Sequence, residues 1–318
     1  MRVKHLVIGL LALVVVVGAL AYQRTARTTL TGGDPDPGST STLTDDEKDR
    51  VHRFWKTYRQ AQQARLEGRW EAAISDYRRA LELNPVHEDT LYYLASCQFE
   101  INEFDDALDV LNRLVRINPM SHRGYHQIGL VRSCPLAGRL FDLDAAEAAL
   151  NRALEINQEE TGALLRLGEV ALAKGDRPRA LEFLTLANRS NSSAVSAYYL
   201  RAYIQFGEGN LDETRALLRE ALRQSLQPKI VAGVSSEGDT RSDRRLPPTT
   251  VAEKRLVKPF WEKLNERYPD DRIEDLSREA LRAEFSPLDN HLSELHAAAE
   301  KFRDEGRAAG NKNGEQRK

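Results

Sequence analysis

An interval of 34 residues recurs through the middle of this chain and constrains its fold more than any other feature. Small alanines and closing prolines both return at this interval. The steps run from Ala73 to Ala107, from Pro85 to Pro119, from Ala146 to Ala180, and from Ala153 through Ala187 to Ala221. A unit of this length cannot bury its apolar face alone, so successive units must stack to share one core. The interval therefore predicts a chain built from repeated units.

Each repeated segment combines a turn residue, a small residue and a helical apolar pattern. The clearest segments begin at Gly68, Asn102 and Gly175. They resemble the tetratricopeptide repeat, a unit made of one helix, a turn and a second helix. The resemblance covers five units, which are 54–87, 88–121, 122–160, 161–194 and 195–228. It implies an all-α, right-handed superhelical solenoid in which small residues lie where two helices cross closely.

Two units depart from the repeat pattern. Unit three carries extra residues in its turn, between Cys134 and Phe141, and unit five has Thr214 in place of the second small alanine. The insertion offers a second contact surface if Leu136, Leu140 and Phe141 are exposed. The alternative is a longer helix that hides them.

A long helix is predicted before the first repeat turn. Thr44 and Glu47 form the Ser/Thr-x-x-Glu pattern of a capping box, which predicts a helix from about 45 to 67. Its predicted role is to cover the exposed end of a repeat domain that spans residues 44–228.

The chain beyond the repeats is predicted to be a linker followed by a helical cap. The linker spans 229–249, and the cap spans 250–306 at the C-terminal end of the solenoid. The cap helices are predicted at about 250–267, 272–284 and 287–306, with Ser286-Pro287 as the start signal of the last one. Residues 307–318 are polar and are predicted to form a disordered tail.

The N-terminus has the pattern of an export or anchor signal. A basic n-region at 1–5 precedes residues 6–22, which contain no charged side chain. We expect a transmembrane signal anchor, because the apolar stretch is at the short end of the length that spans a bilayer. The alternative is a signal peptide that is cleaved at Ala21, where Ala19-Leu20-Ala21 fits the small-x-small pattern. Residues 23–43 follow as a flexible linker rich in Gly, Pro, Ser and Thr.

The orientation of this segment predicts the location of the repeats. The positive-inside rule keeps the basic N-terminus in the cytoplasm and sends the rest of the chain across the membrane. We therefore expect a single-pass membrane protein with an extracytoplasmic repeat domain, periplasmic if the source is bacterial. Cleavage at Ala21 would instead give a secreted or periplasmic protein.

Composition and motifs exclude several classes of function. Lys and Arg total 46 against 48 for Asp and Glu, so the chain has no basic surplus for nucleic acid. The GxSxG, GxxxxGK[ST], HExxH and CxxC motifs do not occur, so we expect no enzyme activity and no cofactor. The alternative is a metal-dependent enzyme that uses His122 and His126, which are spaced i, i+4 on one helix face. The simpler interpretation is a helix-start residue and a polar groove residue.

Two cysteines fall on the first helices of consecutive units. The repeat positions of Cys97 and Cys134 differ by about one helical turn. They are a candidate disulfide in an oxidising compartment, although the distance limits on such a bond are strict. The alternative is a small buried thiol and a turn residue.

The predicted partner-binding surface is the concave face, which the first helices line in repeats of this family. Projecting the interval onto those helices selects the inward positions. They are Trp55, Tyr58, Gln62, Asp89, Tyr92, Phe99, Arg123, His126, Glu169, Tyr199, Tyr203 and Phe206. Tyr and Trp are enriched at binding hot spots, so this row predicts a groove for an extended peptide or an amphipathic helix. The alternative is that several of these rings pack on a neighbouring helix or on the C-terminal segment.

Together these features predict a non-enzymatic scaffold or adaptor. It would bind a protein or peptide partner at the extracytoplasmic face of a membrane, in a cell-envelope assembly or secretion complex. The alternative is a cleaved, soluble exported subunit that supports an enzyme encoded elsewhere. Tyr58 and Gln62 stand where chaperone-binding members of the family carry Lys and Asn, which argues against a receptor for chaperone tails.

The mass of the mature protein separates the anchor from the cleaved signal. We expect intact-mass spectrometry of protein purified from membranes to show a chain that retains residues 6–22. A mature chain that begins after Ala21 would contradict the anchor and support the exported subunit.

Overall fold

The computed structural model describes residues 44–227, 253–269 and 272–315, with side chains described as far as residue 304. Within these ranges the chain is helical, without a strand. The helices are α1 (Asp45–Leu66), α2 (Trp70–Leu83), α3 (Glu88–Glu100), α4 (Phe104–Ile117), α5 (His122–Arg132), α6 (Leu143–Ile156), α7 (Thr161–Ala173), α8 (Arg177–Ser190), α9 (Val195–Gly207), α10 (Leu211–Leu226), α11 (Leu264–Arg267) and α12 (Arg278–Glu315). The predicted n-region, anchor and linkers, at 1–5, 6–22, 23–43 and 229–249, lie outside the described residues.

The start of α1 is fixed by the predicted capping box. By its internal contacts the chain divides into Met1–Arg50 and Val51–Lys318. In the described part of the first unit, the Thr44 amide donates to Glu47 Oε2 at 2.8 Å, and the Glu47 amide donates to Thr44 Oγ1 at 3.3 Å. Because each residue satisfies a backbone donor near the helix start, the helix begins here, as predicted.

Helices α1 to α10 form five successive pairs, and in four of them the two helices are joined by a turn of the same conformation. The residue at the turn has a positive φ in four of the five pairs: 71° at Gly68, 66° at Asn102, 80° at Gly175 and 85° at Gly209. Glycine and asparagine adopt this left-handed conformation most readily, which explains their return at this repeat position.

The two helices of a pair approach each other closely at a small residue on the first helix. A Cβ added to Gly168 would lie 2.6 Å from Leu184 Cγ, and one added to Gly129 would lie 2.5 Å from Leu150 Cγ. The equivalent residues of the other pairs are Ala61, Ala95 and Ala202, all fully buried. Each pair is therefore built around one small residue that faces one large side chain.

The insertion of unit three folds as a short 3₁₀ segment, Pro135–Leu140, rather than as a longer helix. Leu136 is 48% exposed, whereas Leu140 and Phe141 are buried. The expectation of an exposed apolar patch therefore holds only for Leu136. Leu140 and Phe141 join the interior because the irregular backbone turns them inward.

The C-terminal cap differs from its predicted helices. In the described part of the predicted helix 250–267, residues 255–263 are irregular and a helix of one turn follows at Leu264–Arg267. A 3₁₀ turn lies at Arg272–Asp275. The predicted break at Ser286-Pro287 is wrong, because α12 runs without interruption from Arg278 to Glu315 and includes part of the predicted tail. A proline inside a helix costs about 3 kcal/mol. Phe285 and Leu288, on either side of it, are fully buried, and their burial offsets this cost.

The candidate disulfide is not formed. Cys97 and Cys134 are both free and fully buried. Burial raises the pKa of both thiols, to about 12 for Cys97. Both residues therefore serve as small apolar side chains of the core around α3 and α5.

Replacing Gly168 by alanine should destabilise the fold by about 1–3 kcal/mol, because the new methyl group overlaps Leu184 in a packed core. Urea denaturation followed by circular dichroism measures the change. Gly207→Ala is the matched control, since its Cβ meets only the movable end of Arg177, at 2.9 Å from Nη1. Equal stability of the two variants would contradict the close approach of α7 and α8.

Candidate partner-binding surface

The twelve predicted groove residues lie on first helices, and those helices are neighbours. Helix α3 lies beside α5, and α5 lies beside α7. The structure places most of the twelve in two groups. Six of them lie together on α1, α3 and α5: Trp55, Tyr58, Gln62, Asp89, Tyr92 and Arg123. Five others contact residues of the C-terminal segment 253–304: Phe99, Glu169, Tyr199, Tyr203 and Phe206. The remaining residue, His126, lies near Glu160 at the start of α7.

The first group begins with an aromatic cluster on α1. The Tyr58 ring lies 5.7 Å from Trp55 and 5.3 Å from His87, between ring centroids. Trp55 is 43% exposed, and Tyr58 is half-buried. The Gln62 amide donates to the Tyr58 hydroxyl at 2.7 Å, which fixes the hydroxyl while leaving its own proton free to donate. This cluster offers aromatic surface with polar edges to a partner.

The second part of this group joins α1, α3 and α5 through arginines stacked on tyrosines. The Arg123 guanidinium lies 3.9 Å from the Tyr92 ring centroid and donates to Asp89 Oδ1 at 3.0 Å. Arg65 lies 4.5 Å from the ring centroid of Tyr93. Arginine stacks well on aromatic faces because its planar charge is weakly hydrated. We name the residues Trp55, Tyr58, Gln62, Arg65, Asp89, Tyr92, Tyr93 and Arg123 the N-terminal aromatic face.

Tyr93 and His87 also belong to this neighbourhood, although the sequence did not predict them to line the groove. Tyr93 faces Arg65 and stacks on Tyr77 at 6.3 Å. His87 caps α3, since its Nδ1 accepts from the Thr90 amide at 3.2 Å, and its ring contacts Phe54 as well. The position of His87 just after the closing Pro85 marks it as a cap, but the sequence interval gives no sign of its ring contacts with α1.

His122 and His126 converge on Glu160 at the start of α7. His122 Nδ1 lies 2.6 Å from Glu160 Oε2, and His126 Nδ1 lies 3.9 Å from Oε1. Burial lowers the pKa of His126 to about 4, with the charge of Glu160 opposing and those of Arg166 and His122 adding to the effect. Among the described residues no three His, Cys, Asp or Glu side chains are placed to hold a metal ion, so this geometry does not support the metal-dependent enzyme.

The second group of predicted residues is covered by the C-terminal segment. The Phe285 ring, on α12, lies 5.5 Å from Tyr199, 5.7 Å from Tyr203 and 5.4 Å from Phe206, between centroids. Tyr199 is fully buried, and only 5% of Tyr203 is exposed. The alternative interpretation from the sequence, that some rings pack on this segment, therefore describes these three residues.

Glu169 and Phe99 meet the beginning of the same segment. Glu169 is buried and lies 2.9 Å from Arg166 Nη1. Burial raises the pKa of its carboxyl group, and the charges of Arg166 and Arg255 oppose the shift. Lys254 Nζ lies 5.4 Å from the Phe99 ring centroid and 3.3 Å from Glu100 Oε2. These contacts tie the segment to unit two as well as to units four and five.

In the described part of the chain no helix is both long and apolar enough to cross a bilayer. The predicted anchor at 6–22 lies outside that part.

Stacked helix pairs at a constant interval, with aromatic and charged side chains along the first helices, define an α-helical repeat protein. Models of the tetratricopeptide repeat match residues 64–128 and residues 136–192. These two stretches therefore match the tetratricopeptide repeat, as the sequence interval predicts.

The chain is similar to parts of larger proteins. It is 29% identical over 133 residues to the BBSome complex member BBS4 of Xenopus tropicalis, which is 42% of this chain and 25% of that protein. It is 31% identical over 102 residues to the heat shock protein STI1 of Saccharomyces cerevisiae, which is 32% of this chain and 16% of that protein. The chain thus spans a quarter or less of these relatives.

A solved structure of PilF from Pseudomonas aeruginosa has a similar fold. It superposes with a TM-score of 0.51 at 16% identity and covers 81% of this chain and 99% of its own. At this identity the likeness concerns the fold alone.

The buried His126 should make stability depend on pH. Its pKa is near 4 in the folded chain and about 6.5 when unfolded, so between these values only the unfolded state takes up the proton. The free energy of unfolding should therefore fall by about 2–3 kcal/mol as the pH drops from 7 to 4.

Urea denaturation at each pH measures this loss, and His126→Gln should remove most of it. His52→Gln, on an exposed part of α1, is the control. An unchanged slope in His126→Gln would contradict a buried, neutral His126.

Proposed function

We propose that this chain is a non-enzymatic adaptor that binds a partner polypeptide on its N-terminal aromatic face. The observation that carries the proposal is the solvent exposure of the aromatic rings on this face. Trp55 is 43% exposed, and Tyr58 and Tyr92 are half-buried. Rigid aromatic rings and stacked arginines are the residues that dominate binding energy at protein interfaces.

The electrostatics of the face favour a polypeptide over a small apolar ligand. Arg123 and Asp89 form an ion pair whose side chains are 41% and 51% exposed, so both remain available to polar groups of a partner. The Arg65 guanidinium donates a hydrogen bond to Gln62 Oε1 at 3.0 Å and stacks on the Tyr93 ring. A backbone has both donors and acceptors, and it can pair with such a row while its side chains contact the rings.

We further propose that the adaptor acts at the extracytoplasmic face of a membrane, in cell-envelope assembly or secretion. The support is the uncharged stretch 6–22 behind a basic n-region, which is the pattern of an anchor. The second candidate is a soluble exported accessory subunit of an enzyme, favoured by Ala19-Leu20-Ala21 as a cleavage pattern.

Tyr92→Ala tests the binding face. The variant should capture about tenfold or more less partner than wild type, because truncating a hot-spot tyrosine costs about 2 kcal/mol. The measurement is affinity capture from solubilised membranes with the full chain as bait, quantified by mass spectrometry. The midpoint of thermal unfolding should change little, since Tyr92 is only half-buried and lies at the edge of the core.

Leu186→Ala is the matched control, because Leu186 is a partly exposed leucine on α8, a second helix. Undiminished capture by Tyr92→Ala, or the same loss in both variants, would contradict the proposed face.

A further inference from the structure

The first helices of units four and five hold a helix of this same chain. The apolar residues of α12 that face them follow helical spacing and are buried. They are Leu281, Phe285, Leu288, Leu292 and Leu295. An amphipathic helix laid on a groove with anchors at this spacing is a recurring mode of peptide recognition. The chain therefore shows which ligand chemistry this part of the surface accepts.

Polar contacts on both sides of Phe285 fix the position of the helix. The Tyr199 hydroxyl donates to Glu284 Oε1 at 3.0 Å, and the Tyr203 hydroxyl donates to Asp289 Oδ1 at 2.5 Å. The site thus recognises one phenylalanine flanked by two carboxylates. Tyrosine hydroxyls that pair with carboxylates in this way select for charge as well as for shape.

This contact differs in chemistry from the contacts inside the repeats. Within each helix pair the close approach is between alanine or glycine and one large side chain, without charge. Between the segment and the repeats, by contrast, the Tyr199 hydroxyl donates to the nearly buried Glu284 at 3.0 Å, and Lys254 is nearly buried with Glu100. Buried charges add little net stability because each must be desolvated. Contacts between separable parts of a chain are typically of this more polar kind.

The backbone of the segment is also less self-supporting than the repeats. In the described residues 255–269 and 272–277 the regular structure is limited to α11 and the 3₁₀ turn Arg272–Asp275, each of four residues. Short elements keep few internal hydrogen bonds, and such regions open at lower free energy than packed helices. The segment therefore combines a long helix that the repeats hold with a first part, before residue 278, that has little regular structure.

From these observations we propose that residues 253–304 are an internal ligand of the first helices of units four and five, which an external helix of the same chemistry can replace. The external helix is amphipathic and carries a phenylalanine between two acidic residues. The inference rests on the proposed adaptor function and names a second, covered binding surface for it. Departure of the segment uncovers Tyr199, Tyr203 and Phe206 together, which makes an apolar surface that needs a partner.

Hydrogen exchange of the full wild-type chain tests whether the segment opens by itself. We expect the amides of residues 278–295 to exchange together, with protection about tenfold or more below that of α7 and α8. Equal protection of the segment and these helices would overturn the proposal, because the segment would then open only with the whole repeat domain.

A peptide of residues 278–304 labelled with fluorescein is the probe for replacement. Phe285→Ala in the full chain should raise the affinity for this peptide about tenfold or more over wild type, since the resident segment then competes less well. Glu294→Ala, on the exposed side of α12, should leave the affinity at the wild-type value, and a peptide that itself carries Phe285→Ala should not bind.

Two results of this experiment would overturn the proposal. One is equal binding of the peptide to wild type and to Phe285→Ala. The other is loss of helical circular dichroism across the whole Phe285→Ala chain, which would make the segment an integral part of the fold. Neither result touches the N-terminal aromatic face, whose failure is measured separately with Tyr92→Ala.

Discussion

The close approach of two helices at one small residue is the constraint on which the other features of this chain depend. Gly129 and Gly168 lie so near Leu150 and Leu184 that a single added methyl group would overlap them. Because the helices of a pair are this close, their relative position is fixed, and so is the surface that each first helix presents. A row of first-helix side chains can then align from unit to unit at the repeat interval. The ion pair between Asp89 and Arg123 spans one such interval.

The repeated part of the fold was predictable because it is periodic. Ala73 and Ala107 are 34 residues apart, as are Ala146 and Ala180, and all four are fully buried, so one inference about packing serves these units. The left-handed turn residues are explained in the same way. Periodicity also placed Tyr58, Tyr92 and Arg123 on neighbouring helices, since each occupies a first-helix position that faces away from the second helix.

The segments outside the 34-residue repeats could not be predicted from the repeat interval. Pro287 carries a strong local signal for a helix start, yet it lies inside α12, because the burial of Phe285 and Leu288 outweighs the missing hydrogen bond. The coverage of Tyr199 and Tyr203 depends on residues about 85 positions away in the chain. Sequence spacing predicts on which face of its own helix a residue lies. It does not predict which distant segment of the chain packs on that face. For the same reason, the sequence did not predict the contacts of His87 and Tyr93 with neighbouring helices.

One surface of repeated first helices thus performs two different tasks in the two halves of the molecule. In units four and five the aromatic side chains pack against Phe285, and two of their hydroxyls donate to carboxylates of α12. The burial of these side chains contributes to stability. In units one to three, arginines stack on the rings of Tyr92 and Tyr93, and Trp55 remains 43% exposed. An arginine stacked on a tyrosine keeps its guanidinium partly hydrated, so the face stays soluble without a covering helix. This difference in what packs on the rings, rather than any difference in the repeats, separates the part of the surface that the chain itself covers from the part that we propose binds a partner.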